Sequence, residues 1–379
     1  MEERTDRPRR GLLSRLETPG LTRLQERILA GSAVGVIVLF AVGWAVAIAD
    51  EAAAGRPLTV ARELTVNPLA PDAPAPAAFL LDRLLREVAS EPGWRGRSGA
   101  VRVIVPEPGD TLLLADTLGL RDLPAGAHVE VESADSPGVR VAADQVARPG
   151  AWNVVLRVRD ELRRVTDLAV LTPVPSSGMR GGRIGQYLIG DWPTRADRPA
   201  SLRTPTYDAP GGLIQVTPEN VGLPISEHLV LGDFLTKGQA DVWPKYVALS
   251  PALLDKLELT VQELAAMSHP VENVGVISAF RTPQYNAHGG STAGRGSFSR
   301  HMYGDALDFY IDNDGDGQMD DLDGDGRVTV ADARVVAEAA DRVERKYPEY
   351  VGGIGIYRPN PGAHSGFVHI DTRGYRARW

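Results

Sequence analysis

From about residue 99 to 175 apolar and polar positions alternate: Val101, Val103 and Val105, Val129 and Val131, Val139 and Val141, Val154, Leu156 and Val158, then Leu168 and Val170. A period of two places each set on one face of a strand. Pro108-Gly109-Asp110, Pro137-Gly138 and Pro149-Gly150 separate the runs, so the segment predicts several short strands in a small β-sandwich. Beyond residue 245 the period changes. Ser250-Pro251 opens a helix with Leu253, Leu254 and Leu257 on one face, and Thr260 with Glu263 reads as a capping box starting a second. Val274 to Phe280 predicts a buried strand. Val335, Val336, Ala339, Ala340 and Val343 form the buried stripe of a helix over about 331–347. Two apolar runs, Gly353–Tyr357 and Phe367–Asp371, are of strand length. Helices against a small sheet predict an α+β domain over 176–379, whose first part, to about 245, is a Gly-, Pro- and aromatic-rich extension.

The N-terminal hundred residues follow neither period. Residues 28–49 carry no charge and are long enough to cross a bilayer, which needs about 20 residues. Seven arginines precede them and Asp50-Glu51 follows, so 1–27 is expected to be a cytoplasmic tail and everything after Asp50 to lie outside. Ala47-Ile48-Ala49 would also suit a signal-peptide cleavage site, but the apolar run exceeds the usual h-region of about 7–15 residues. A single N-terminal membrane anchor is therefore expected. Residues 50–98, rich in Ala and Pro, read as a linker that joins it to a β-rich stalk over 99–175.

Composition adds two facts. There is no cysteine among the 379 residues, which suits an extracytoplasmic protein that avoids stray disulfides. The formal charge of −8 is local, because eight aspartates fall between Asp312 and Asp332 and the rest of the chain is near neutral. No basic tract suggests nucleic acid. The acidic segment, 312–332, predicts calcium binding through Asp312, Asp314, Asp316, Asp320, Asp321, Asp323, Asp325 and Asp332. Alternate aspartates with a glycine at the sixth position put many oxygens on a tightly turning chain. Two EF-hand-like loops can be laid on it: one from Asp312 to Asp323 with Gly317, the other from Asp321 to Asp332 with Gly326 and Val328 as the packing hydrophobe. They share Asp321 and Asp323, and the second, which runs into a helix, reads as the stronger.

The chemistry concentrates at the C-terminal end. His301, Asp308 and His369 are two imidazoles and a carboxylate, the set a catalytic zinc takes while keeping a fourth position open. On a strand His369 and Asp371 share a face. Asp371 could then orient water on the metal, hold a ligand imidazole or pair with an arginine. Gly304 and Ala306 suggest a close backbone approach.

Ser278-Ala279-Phe280-Arg281-Thr282-Pro283-Gln284-Tyr285-Asn286, the pattern SxHxxGxAxD from Ser299 to Asp308, Gly352-Gly353-Ile354-Gly355 and Phe367-Val368-His369-Ile370-Asp371-Thr372 stand in an order that resembles one family. It is the zinc D-alanyl-D-alanine carboxypeptidases and murein endopeptidases, related in fold to hedgehog domains; the ending is most similar to the murein L,D-endopeptidases. The resemblance covers roughly 274–379. It implies His301, Asp308 and His369 as zinc ligands and Arg281 as the group holding a substrate carbonyl or carboxylate. It implies hydrolysis of peptidoglycan stem peptides outside the inner membrane, with endopeptidase favoured over carboxypeptidase and protein partners unknown. One departure stands out: many members carry a basic carboxylate three residues before the last histidine, where this chain has Gly366. Asp371 or His364 is then expected to move the proton. The alternatives are a metal-stabilised wall-binding module without catalysis, or a calcium-dependent adhesion or assembly protein.

Overall fold

The computed structural model describes residues 102–105 and 127–379, apart from 137, 143–147, 159–160, 291, 293–294 and 361–363. The expected tail, anchor and linker lie outside these residues. Among the described residues no helix is long and apolar enough to cross a membrane.

The alternating segment forms one mixed sheet. Its strands are β1 (Arg102–Ile104), β2 (Ala127–Ser133), β3 (Arg140–Ala142), β4 (Gly150–Val158) and β5 (Glu161–Thr172), in the order β1-β5-β4-β2-β3. A sandwich was expected; the described strands of this segment form a single sheet, with β1 parallel to β5 and the other pairs antiparallel. Both of its faces are buried: Val131, Val154, Leu168 and Val170 on one, Ala151 and Leu171 on the other. Ala151 and Leu171 are fully buried in the same core as Leu213, Ile214, Leu253 and Leu257, so the downstream chain covers that second face. Asp135 Oδ1 reinforces that join, accepting from Thr217 Oγ1 and Asn220 Nδ2 at 2.8 Å each.

Only Pro173 separates β5 from β6 (Val174–Pro175), which opens the next sheet. After a small hairpin, β7 (Arg183–Ile184) with β8 (Tyr187–Leu188), come β9 (Gly212–Val216) and β10 (Lys245–Val247), giving the order β10-β9-β6. Helix α1 (Pro251–Ala266) buries Leu253, Leu254, Leu257, Val261 and Leu264. It is one helix, where the capping-box reading of Thr260 predicted a break. Thr260 Oγ1 turns back to donate to the Lys256 carbonyl at 2.7 Å, the bond a helical threonine makes four residues upstream.

The C-terminal sheet carries the site. It comprises β11 (Val274–Ser278), β12 (Ala306–Ile311), β13 (Gly353–Tyr357), β14 (Phe367–Asp371) and β15 (Ala377–Arg378), ordered β11-β12-β14-β13-β15. Short α2 (Pro283–His288) follows β11, and α3 (Val330–Lys346) packs over α1 and β13. The expected stripe of α3 is buried at Val336, Ala339, Ala340 and Val343. Its start is fixed by Thr329, which accepts from the Ala331 amide, while Asp332 accepts from the Thr329 amide. The protein is thus mixed α+β, with several sheets and few helices.

Candidate metal centre

Strand register unites the candidate ligands. In the β12–β14 ladder Asp308 stands opposite His369 and Ala306 opposite Asp371. His301 comes from a 3-10 turn, Arg300–Tyr303, that ends at Gly304. Gly304 has φ +73°, and a Cβ there would lie 2.3 Å from the Ala248 carbonyl carbon, so only glycine lets the turn close against that backbone. The close approach therefore seats the turn carrying His301. Ser299 assists through its carbonyl, which accepts from Met302, and makes no side-chain cap.

His301 Nε2, His369 Nδ1 and Asp308 Oδ1 form a triangle with sides of 3.2, 2.8 and 3.2 Å. Donors about 2.05 Å from a tetrahedral zinc lie about 3.3 Å apart, so the triangle is close to one face of such a site. The outward nitrogens decide the protonation. His301 Nδ1 is 2.6 Å from the Ala279 carbonyl, which can only accept, so Nδ1 carries the hydrogen and Nε2 turns a lone pair inward. His369 Nε2 lies 3.0 Å from Asp371 Oδ2 and donates to it. Three lone pairs then converge, and only a cation satisfies them together.

The electrostatics agree. Burial pushes the Asp308 carboxyl up, but His301 and His369 outweigh it and hold it well below the usual carboxylate range. Burial also lowers His301. For His369 burial acts downward too, yet hydrogen bonds to Asp308 and Asp371 overcome it and raise the imidazole. Without a metal, a proton on His369 is thus the cation that Asp308 meets. Arg281 closes the ring of charge: Nη2 donates to Asp308 Oδ2 at 2.6 Å and Nε to Ser278 Oγ at 2.8 Å.

Of the three roles open to Asp371, the structure displays two. It holds the ligand imidazole, and it pairs with Arg373, whose Nε lies 2.8 Å from Oδ1. It also accepts from the Gly353 amide and is 0% exposed. Its bond to His369 lies across the ring from the donor triangle, so it cannot orient water at the metal face; that option falls. His364 keeps Nδ1 within 2.7 Å of the Ser365 carbonyl and sets its ring edge-on to Phe367. At Gly366 a Cβ would meet Met319 Sδ, Thr329 O and Tyr357 O at 3.4–3.5 Å. A side chain there points at the aspartate segment, and the strand's alternation turns it away from the face of His369.

Two residues at the centre escaped the sequence reading. Trp379 lays its indole 5.1 Å from the His369 ring and donates from Nε1 to Tyr357 Oη at 2.8 Å. A Cβ on Gly355 would lie 2.4 Å from that indole, so the Gly353-Ile354-Gly355 run makes room for it. The signal was present in the paired glycines, but nothing in sequence connects them to residue 379.

The aspartate segment divides differently from the expected overlapping loops. Asp312, Asp314 and Asp316 form one cluster and Asp321, Asp323 and Asp325 another, each with carboxylate oxygens within 4.8 Å of one another. No aspartate serves both. Gly317 and Gly326, at φ +81° and +82°, sit at the same place in each turn. Asp320 accepts from the Asn313 amide, and Asp332 from Leu322, Asp323 and Thr329, so both stand outside the clusters as main-chain anchors. The loops differ in how their equivalent hydrophobes pack. Met319 is buried beneath Gly366, whereas Val328 is 42% exposed. A further group, Glu227, His228 and Glu258, is accounted for by the bond from His228 Nδ1 to Glu258 at 2.7 Å.

Compared with known protein families, curated proteins and solved structures, the chain matches none.

Proposed function

We propose that the protein is a zinc metallopeptidase of the D-alanyl-D-alanine carboxypeptidase and murein endopeptidase type, hydrolysing peptide bonds in peptidoglycan. The observation that carries this is the convergence of three lone pairs from His301, His369 and Asp308, each imidazole locked by an acceptor on its far side. When bound there, zinc supplies Lewis acidity that polarises a peptide carbonyl and acidifies water. The rest belongs to the chain. Asp371 and the Ala279 carbonyl fix the tautomers, as partners of metal-bound histidines do. Arg281 neutralises Asp308 through Nη2 and presents Nη1 to the substrate oxygen, where positive charge stabilises a developing oxyanion. His364 moves the proton at Nε2, since Nδ1 is committed to Ser365.

The sheet that was expected as a stalk, and a single anchor over 28–49, would present this domain to the wall from the outer face of the cytoplasmic membrane. Calcium, held by the two aspartate triples and their turn carbonyls, orders the segment between β12 and α3.

The test is mass spectrometry of cross-linked muropeptides after incubation with residues 75–379, beside a His301→Ala control. Monomeric or shortened products that vanish in the control and with a chelator are expected. A folded, zinc-loaded protein that yields none would point to a wall-binding module.

A further inference from the structure

Trp379 stands beside the donor triangle with no part in the chemistry assigned so far. Its indole lies 5.1 Å from the His369 ring at an interplanar angle of 47°. A Cβ on Gly355 would lie 2.4 Å from the indole Nε1 and Cε2, and one on Gly353 would lie 3.0 Å from Cη2. The indole therefore spans both glycines of β13. Gly355 stands opposite His369 in the ladder, and a Cβ on Gly353 would also meet Asp371 Oδ2 at 2.4 Å. The ring thus runs alongside the bond from His369 Nε2 to Asp371 Oδ2.

The indole is braced in that place. Nε1 donates to Tyr357 Oη at 2.8 Å, and the guanidinium carbon of Arg373 lies 5.4 Å from the ring while its Nε holds Asp371 Oδ1. Main-chain bonds fix the residue to β13 whatever its side chain: Ile356 donates to the Trp379 carbonyl at 3.0 Å. Yet Trp379 is 49% exposed, whereas His369 and Asp371 beneath it are 5% and 0% exposed. A core-filling indole would bury itself; this one buries a hydrogen bond. Kept from water, such a bond meets no competitor and acts in a lower dielectric.

We infer that Trp379 is a positioning residue of the metal centre: its indole shields the His369–Asp371 bond and so keeps His369 Nδ1 aimed into the donor triangle. Gly353 and Gly355 serve the same purpose by leaving room for the ring. The inference rests on the metal reading of the triangle, and ion affinity tests it without peptide hydrolysis.

Competition titration with zinc decides it. Trp379→Ala should weaken zinc about ten-fold, the lower end of what losing the support of a metal-bound histidine costs. Tm should barely move, since a half-exposed side chain leaves no core cavity. Trp379→Phe keeps a ring over the bond and should restore affinity to within about three-fold of the original. Gly355→Ala, whose added methyl meets the indole first, should weaken zinc by itself but add nothing in the Trp379→Ala background. In the metal-free protein the NMR signal of the His369 Nε2 proton should be lost to exchange in Trp379→Ala. Unchanged affinity in Trp379→Ala, an equal loss in Trp379→Phe, or a further loss from Gly355→Ala in the double variant overturns the role. Muropeptide cleavage with zinc affinity indifferent to Trp379→Ala would leave the peptidase standing and remove this role. Trp379-dependent zinc binding without cleavage would do the reverse, and no zinc binding by the unsubstituted protein would remove both.

Discussion

Two acidic regions, one on β12 and the other directly after it, are built on opposite principles. At the donor triangle a single aspartate sits in a buried site, facing two imidazoles and a guanidinium, and two of the three partners, His369 and Arg281, come from distant parts of the chain. In the aspartate segment the carboxylates are mostly exposed, and their partners are amides two to five residues away. Asp321, for example, accepts from Gly324, Asp325 and Gly326. Burial makes the first site intolerant of loss, because a charge stripped of its partner cannot turn to water. Exposure makes the second forgiving, since solvent screens what the loop does not satisfy. One region is specified by tertiary structure, the other by local sequence.

The largest effect should follow from breaking the buried side. Asp308→Ala removes a ligand and strands Arg281, so zinc content should vanish and muropeptide hydrolysis fall at least about 10³-fold. Stability should drop by about 3–5 kcal/mol in denaturant titration. Asp371→Asn leaves all three donors in place but weakens the hold on His369; zinc affinity should fall about 10- to 100-fold in competition titration. The matched change Asp325→Asn should leave zinc affinity untouched, and a shift there would erase the contrast between the regions. Calcium sharpens the other side. At a hundred times its dissociation constant it should stabilise the protein by about 2.7 kcal/mol, read as a rise in Tm that the double variant Asp314→Asn/Asp323→Asn loses. Thr329→Ala, which removes a cap of α3, should cost about 1 kcal/mol. Acidity should separate the regions as well. The raised His369 imidazole holds a proton that zinc must displace, so zinc affinity should climb with pH through the neutral range and fall below it.

The donor residues were legible in sequence because their types and the SxHxxGxAxD spacing are chemically specific. Their mutual geometry was not. His369 meets Asp308 across 61 positions, and only the β12–β14 register brings them opposite. Asp371 shows the same limit: period two put it on the face of His369, but its burial against Arg373 depends on how the chain turns after β14. The strands of 102–172 were readable from alternation. Their layer partner was not, since the buried face of Ala151 and Leu171 is covered by residues from Leu213 onward. Thr260 misled because a hydroxyl three residues before a glutamate looks the same whether it caps a helix or bends back inside one. In the aspartate segment Val328 and Met319 occupy equivalent places, and only packing under Gly366 distinguishes them.

The position of β14 bears on the proposed metal site. It runs third in a five-strand order, bonded to β12 on one side and β13 on the other, and no residue of it is exposed. Its amides should be among the last to exchange with deuterium, opening only when the whole domain unfolds, whereas the edge strand β11 exchanges earlier. Two of the three donors therefore lie on adjacent inner strands of the most protected part of the sheet. If the proposed site binds an ion, Asp308 and His369 should already be fixed in place by these two strands in the folded chain.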